Sequence, residues 1–182
     1  MDNELQYCLK CKAISVACKK LKKEELVELS KSCIDGEIKK GETFLRQGSI
    51  TSYVVYVKTG LVKETMTGLG EQDQIFKLLK DGSYLGMSSL FSGSVHHFSY
   101  TALSDLSICY IEQNTFERLM KKNGEFAYDI MVTLCKDNVK GSLKLLNQSQ
   151  KKIYGRVADA LLYFSDVIFN KKKFKQIGRA HV

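Results

Sequence analysis

Between Ile38 and Ile111 the apolar residues come in short β-prone runs: Tyr53-Val54-Val55-Tyr56-Val57, Gly60-Leu61-Val62-Lys63, Gln74-Ile75-Phe76-Lys77-Leu78-Leu79, Ser99-Tyr100-Thr101-Ala102-Leu103 and Leu106-Ser107-Ile108-Cys109-Tyr110-Ile111. Gly41, Gly48, Gly60, Gly68, Gly70, Gly82, Gly86 and Gly93 fall between them. Strands broken by glycine turns at this pitch predict a closed sandwich or jelly roll. Helical spacing flanks the roll on both sides. Leu26, Leu29 and Cys33 mark a short helix over 22–33, with Glu24 and Glu25 in the first turn, where acidic groups suit the helix dipole. After the roll, Asn114 to Met120 predicts a short helix with Asn114 as N-cap. From Glu125 to Asn147, Phe126, Ala127, Ile130, Met131, Leu134, Val139, Leu143 and Leu146 recur near a heptad period, a long stripe for a helix packed on its own domain. A last helix is predicted from Arg156 to Phe169, ended by Lys171-Lys172-Lys173. The predicted class is mainly β with flanking helices, a jelly roll followed by a long helix.

Composition adds limits. A chain of 182 residues with 44% hydrophobic content builds one domain and an appended element. The net charge of +8 suits a polyanionic partner and equally a lysine-rich solvated surface. No apolar run nears the roughly 20 residues of a membrane span, and Met1-Asp2-Asn3-Glu4 lacks the order of a secretory signal, so no membrane partner and a cytoplasmic location are expected. Six cysteines in a reducing compartment point to metal or redox chemistry rather than to a disulfide framework.

The cysteines are not scattered evenly. Cys8, Cys11 and Cys18 form a C-x2-C-x6-C run, and Cys109 stands alone on a later β-prone segment. Three thiolates on one loop and a fourth from a folded strand can close round a metal centre and tie the loop to the domain. Lys10, Lys12, Lys19, Lys20, Lys22 and Lys23 surround the run and favour thiolate. An iron–sulfur cluster, a zinc ion and unligated thiols all remain open to this pattern. Cys33 and Cys135 lie on predicted helical faces and are expected as small buried hydrophobes. His96 and His97, on a polar loop, are expected to be solvated.

The order of cysteine loop, helix, glycine-punctuated roll and long striped helix resembles the sensor half of the Crp/Fnr family of bacterial transcription regulators. Lys40-Gly41-Glu42-Thr43-Phe44-Leu45-Arg46-Gln47-Gly48 is similar to the family's first roll turn, and Asp81-Gly82-Ser83-Tyr84-Leu85-Gly86 to the approach to its ligand cassette. The Fnr branch fits best: Ser92 to Ser99 is similar to its segment, and Cys109 falls where Fnr proteins carry a distant cluster ligand. The resemblance implies a double-stranded β-helix of the cyclic-nucleotide-binding type and a [4Fe-4S] cluster held by Cys8, Cys11, Cys18 and Cys109. Fnr proteins have one residue fewer between the second and third cysteines, an insertion that a surface loop absorbs at small entropic cost. The family's ribose-binding Glu has Met87 or Ser88 in its place, and its phosphate-clamping Arg-Ser pair has Phe98-Ser99, which argues against cyclic AMP as effector.

The implied layout is a cysteine loop over 1–21, the roll over 22–120, a dimerisation helix over 121–148, and over 149–175 the start of a winged helix-turn-helix domain that does not continue. The long helix is expected to pair with its twin in a homodimer, with Lys136, Asp137 and Lys140 weakening the seam. DNA is the expected partner of the full-length protein. Gln176-Ile177-Gly178-Arg179-Ala180-His181-Val182 is also the translation of a common sequencing-library adapter, so residues 176–182 are expected to be an artefact. The expected function is redox- or oxygen-responsive transcription regulation without enzymatic activity. The alternative is a stand-alone β-roll that binds a small molecule as a regulatory module.

Overall fold

A computed structural model of the chain describes residues 8, 11–68, 70 and 72–168. Met1 to Glu4, Lys10, the Lys171-Lys172-Lys173 run and the 176–182 segment lie outside the described residues, as does the end of the last predicted helix at Phe169. The chain divides into two units, Met1–Thr133 and Leu134–Val182.

The first unit is built on eight antiparallel strands: β1 (Cys33–Ile38), β2 (Thr43–Leu45), β3 (Tyr53–Thr59), β4 (Leu61–Thr67), β5 (Asp73–Lys80), β6 (Tyr84–Leu85), β7 (Ser99–Ala102) and β8 (Leu106–Glu112). They form two four-stranded sheets, ordered β1-β8-β3-β6 and β2-β7-β4-β5. A 3-10 turn at Ala17–Lys20 and helix α1 (Lys23–Ser32) precede β1, and the short α2 (Met87–Ser92) lies between β6 and β7. Helices α3 (Gln113–Lys122) and α4 (Gly124–Gln150) follow β8. This is the expected jelly roll with a long helix after it.

Strand β3 explains why its sequence lacks alternation. Val55 and Val57 face the interior of the roll with Val62, Leu85, Tyr100, Leu106 and Ile108. Val54 and Tyr56 face the other way, into a second core with Leu29, Cys109, Ile111, Phe116, Leu119, Phe126 and Ile130. A strand buried on both faces is written as a continuous apolar run. The first sheet is therefore the middle layer of this unit, with the opposite sheet on one side and the cysteine loop and helices on the other.

Local chemistry fixes the joints. Glu25 does more than suit the helix dipole: it is buried, accepts from the Lys22 N–H at 2.9 Å and from Asn123 Nδ2 at 2.7 Å. The cap of α3 lies two residues earlier than expected: Glu112 takes the cap position and exposed Asn114 lies inside the first turn. The amide that caps a helix is Asn123, whose Oδ1 accepts from the Phe126 N–H at 3.0 Å in the first turn of α4.

Gly60 makes the turn from β3 to β4 with φ +109°, and a β-carbon there would come within 2.6 Å of Leu106 Cδ2 and 2.7 Å of the Asp105 carbonyl. Gly60→Ala should therefore cost about 1–3 kcal/mol, read as a lower urea midpoint at unchanged m-value. An unchanged midpoint would contradict the turn geometry.

In the second unit α4 continues to Gln150, and α5 (Ile153–Tyr163) runs into a π-helical segment, Phe164–Ile168. Lys151 Nζ holds Asp159 at 2.7 Å.

Candidate functional site

The register of the first sheet decides which side chains share its outer face. Cys109 on β8 lies opposite Asp35 of β1 and opposite Tyr56 of β3, and Tyr56 lies opposite Tyr84 of β6. Directly paired residues point to the same side of a sheet, as do residues two apart on a strand. Cys33, Asp35, Tyr56, Lys58, Tyr84, Cys109 and Ile111 are thereby gathered on one face.

The N-terminal loop folds over that face and leaves a cavity of about 30 Å³. Cys8, Cys11, Cys18 and Cys109, the four cysteines singled out in the sequence, all line it. Cys8, Cys18 and Cys109 are buried and Cys11 is half-buried. Ser15 anchors the loop: its hydroxyl accepts from the Cys18 N–H at 3.0 Å and shares a hydrogen bond with the Tyr84 hydroxyl at 2.6 Å. The Cys18 thiol also lies 3.5 Å from that hydroxyl.

Two residues of the cavity escaped the sequence reading. Cys33 is the first residue of β1, not part of a helical face; it is half-buried, with its Sγ 3.8 Å from Cys8 Sγ. Lys58 is 92% buried from solvent by its 8% residual exposure and pairs with Asp35 across the sheet. Cys135 departs from expectation in the other direction, being exposed on α4.

The thiols are not equivalent. Cys8 is lowered to about 7, first by the hydrogen bond with Cys33, with burial opposing and Ser30 and the Lys58 charge assisting. Cys33 is pushed upward by its hydrogen bonds with Cys109 and Cys8 and by burial. Burial pushes the Cys18 thiol up and holds the Tyr84 phenol well above the usual tyrosine range. The cation that lowers Cys8 is Lys58 of β3, with the Asp35 charge opposing it. Among the described residues, no three His, Cys, Asp or Glu side chains are grouped to hold a metal ion.

The interior of the roll has a different character. Phe98 packs edge-on against Phe76 at 5.3 Å. Glu64 is buried in the roll, and the Tyr100 phenol is raised by burial and by the Glu64 carboxylate. The Tyr100 hydroxyl accepts from the Gly86 N–H at 3.3 Å. A buried carboxylate is the wrong charge to lie beside a buried phosphate. The two histidines separate: His97 is exposed and bonds Ser92 through Nε2 at 2.9 Å. His96, expected in solvent, is buried with 3% exposure. It packs where a β-carbon on Gly86 would meet its ring at 3.0 Å, and burial lowers its basicity.

With this geometry in place, comparison with known proteins is informative. The family model described as Cyclic nucleotide-binding domain matches residues 36–123. No curated protein matches the chain. Among solved structures, the sensor domain of the transcriptional regulator DNR from Pseudomonas aeruginosa superposes with a TM-score of 0.60 at 18% identity, covering 72% of this chain and 86% of that one. FixK2 from Bradyrhizobium japonicum gives 0.65 at 20% identity, covering 73% and 66%. The Catabolite Activator Protein of Thermus thermophilus gives 0.61 at 22% identity, covering 73% of this chain and 62% of that chain. Residues 36–123 thus have the fold of a cyclic nucleotide-binding domain, which the chain shares with these three structures. Among the described residues no helix is long and apolar enough to cross a membrane.

Proposed function

We propose that this chain is the sensory and dimerisation part of a Crp/Fnr-type transcription regulator, responsive to redox state or oxygen, with DNA as the partner of the full-length protein and no enzymatic activity. The observation that carries the reading is the cavity on which Cys8, Cys11, Cys18 and Cys109 converge from two distant parts of the sequence. Cys8, Cys11, Cys18 and Cys109 would hold a [4Fe-4S] cluster. An all-thiol donor set suits iron–sulfur chemistry, and a cluster gives each thiolate its own iron. That arrangement tolerates thiols spread round a cavity better than a single zinc ion does. When bound, such a group supplies a centre that oxidants can alter.

The chain's own residues supply a route from this cavity to the long helix. Cys109 belongs to β8, and α3 follows β8 directly. Asn123, between α3 and α4, donates to the Lys20 carbonyl at 3.1 Å while its Oδ1 caps the first turn of α4. The cysteine loop and the start of α4 therefore share one side chain. Beyond it, α4 presents Val139, Leu143 and Leu146 to solvent, the residues proposed to form a seam with a second copy. A loop held or released at the thiols would bias that seam, which is how local switches are read out globally.

Protein prepared without oxygen should be brown and hold iron and sulfide in equal amounts. A colourless preparation, or one with zinc alone, overturns the cluster. Cyclic AMP should leave the melting temperature unchanged, because Phe98 and Glu64 offer the phosphate no counter-charge. A rise that grows with its concentration, as linkage requires of any ligand of the native state, would refute this.

A further inference from the structure

Cys33 lines the thiol cavity yet has no part in the four-cysteine assignment. Its Sγ lies 3.8 Å from that of Cys8, 25 positions away in sequence. Both are placed by the end of α1. The Cys8 N–H donates to Ser30 Oγ at 3.0 Å, and Ser30 Oγ donates to the Leu26 carbonyl at 2.8 Å, which holds Cys8 against the last turns of the helix. Cys33 follows that helix directly as the first residue of β1. An approach of about 1.8 Å would bring the sulfurs from 3.8 Å to the disulfide length of about 2.05 Å.

We propose that Cys8 and Cys33 are an oxidative modification site, converted by a peroxide to an intramolecular disulfide when the chain carries no metal. The Cys8 thiolate attacks one peroxide oxygen and breaks the O–O bond, giving a sulfenic acid and, after protonation, water. Cys33 Sγ then attacks the Cys8 sulfur; the S–S bond forms, the S–O bond breaks, and hydroxide leaves with the Cys33 proton as a second water. The sulfur pair loses two electrons and the peroxide gains them. Cys33 also hydrogen-bonds Cys109, but strand register separates that pair. Cys33 lies opposite Ile111 and Cys109 opposite Asp35, a diagonal relation that sets the residues about 7–8 Å apart and their β-carbons somewhat less, still beyond the roughly 3.5–4.5 Å of a disulfide. Cys8 stands outside the sheet, held through Ser30 and not by strand pairing. The bond would pin the cysteine loop to β1 and remove Cys8 from any ligand set. It needs only the two thiols, so it stands or falls separately from the cluster.

The test uses the full chain, reduced and stripped of metal, exposed to hydrogen peroxide and digested without reductant for mass spectrometry. The expected product is a Cys8–Cys33 linked peptide as the major cross-link, with the loss of two of the six thiols. In Cys33→Ser the link should vanish and Cys8 should be trapped as a dimedone adduct, while Cys135→Ser keeps the link. A major link between Cys33 and Cys109, or between Cys8 and Cys11 or Cys18, overturns the proposal. So does wild-type protein in which Cys8 is trapped as sulfenic acid and no link forms. The wild-type peptide map decides the question even if Cys33→Ser folds poorly.

Discussion

Phe116→Ala should remove about 3–5 kcal/mol of folding stability, the usual cost of truncating a fully buried phenylalanine. Phe116 has no solvent exposure and sits in the first turn of α3. Its ring meets Tyr84 of β6 at 6.0 Å and Phe126 of α4 at 5.4 Å. The side chain therefore joins the middle sheet to both following helices, and neighbours fixed by strand pairing cannot close the space it leaves. Against a typical domain stability of about 5–15 kcal/mol the loss is large, and it should lower the melting temperature by about 10 °C. Phe116→Leu, which keeps most of the volume, should recover much of it. Because Tyr84 also bonds Ser15 and touches Cys18, the alanine variant should expose the cavity thiols to labelling faster than wild type. A loss below about 1 kcal/mol would mean that the second core is not the packed layer described.

The architecture was legible where residues were selected by position on a period. The runs at Tyr53–Val57 and Leu106–Ile111 announced strands, and their lack of alternation already carried the burial of both faces. Strand β1 was not legible. Leu26, Leu29 and Cys33 continue one helical spacing, so Cys33 reads as a helical residue, while Ile34-Asp35-Gly36-Glu37 has little β-propensity. What makes it a strand is pairing with β8 from Cys33↔Ile111 to Ile38↔Leu106, a non-local term that outweighs local preference. The site followed the same division. Cys8, Cys11, Cys18 and Cys109 are visible as residue types in a pattern, whereas Cys33 and Lys58 become neighbours only once register is known. Lys58 does carry a faint signal: it continues the Val54, Tyr56 face of β3, and a lysine two residues past a buried tyrosine requires a partner, which Asp35 provides.

Lys58, buried and paired with the exposed Asp35, also bears on how the cavity holds negative charge. Several thiolates crowded into a small space repel one another, and a fixed cation beside them offsets part of that repulsion. Lys12, Lys19, Lys20, Lys22 and Lys23 are exposed, where screening weakens their effect. The sheet, through Lys58, would thus give the proposed metal centre electrostatic support, reduced by the opposing Asp35 charge.

Cys109→Ser should reduce bound iron and sulfide at least tenfold in protein prepared without oxygen, since even changes one layer out from a metal ligand cost about 10–100-fold in affinity. Of the four proposed ligands Cys109 is the one supplied by the sheet, so its loss would leave a centre held by the loop alone. The hydroxyl of serine is a poor replacement, because it remains protonated under conditions that ionise a thiol. Cys109 is 5% exposed, so the variant must first be shown to keep the wild-type circular dichroism. Cys135→Ser, at an exposed thiol on α4, should keep full iron and controls for cysteine loss in general. Cys33→Ser separates two ligand sets that the geometry brings close together. If it retains iron while Cys109→Ser does not, the four-cysteine assignment stands; if the pattern is reversed, β1 and not β8 supplies the fourth ligand, and the likeness to the Fnr arrangement ends at the fold.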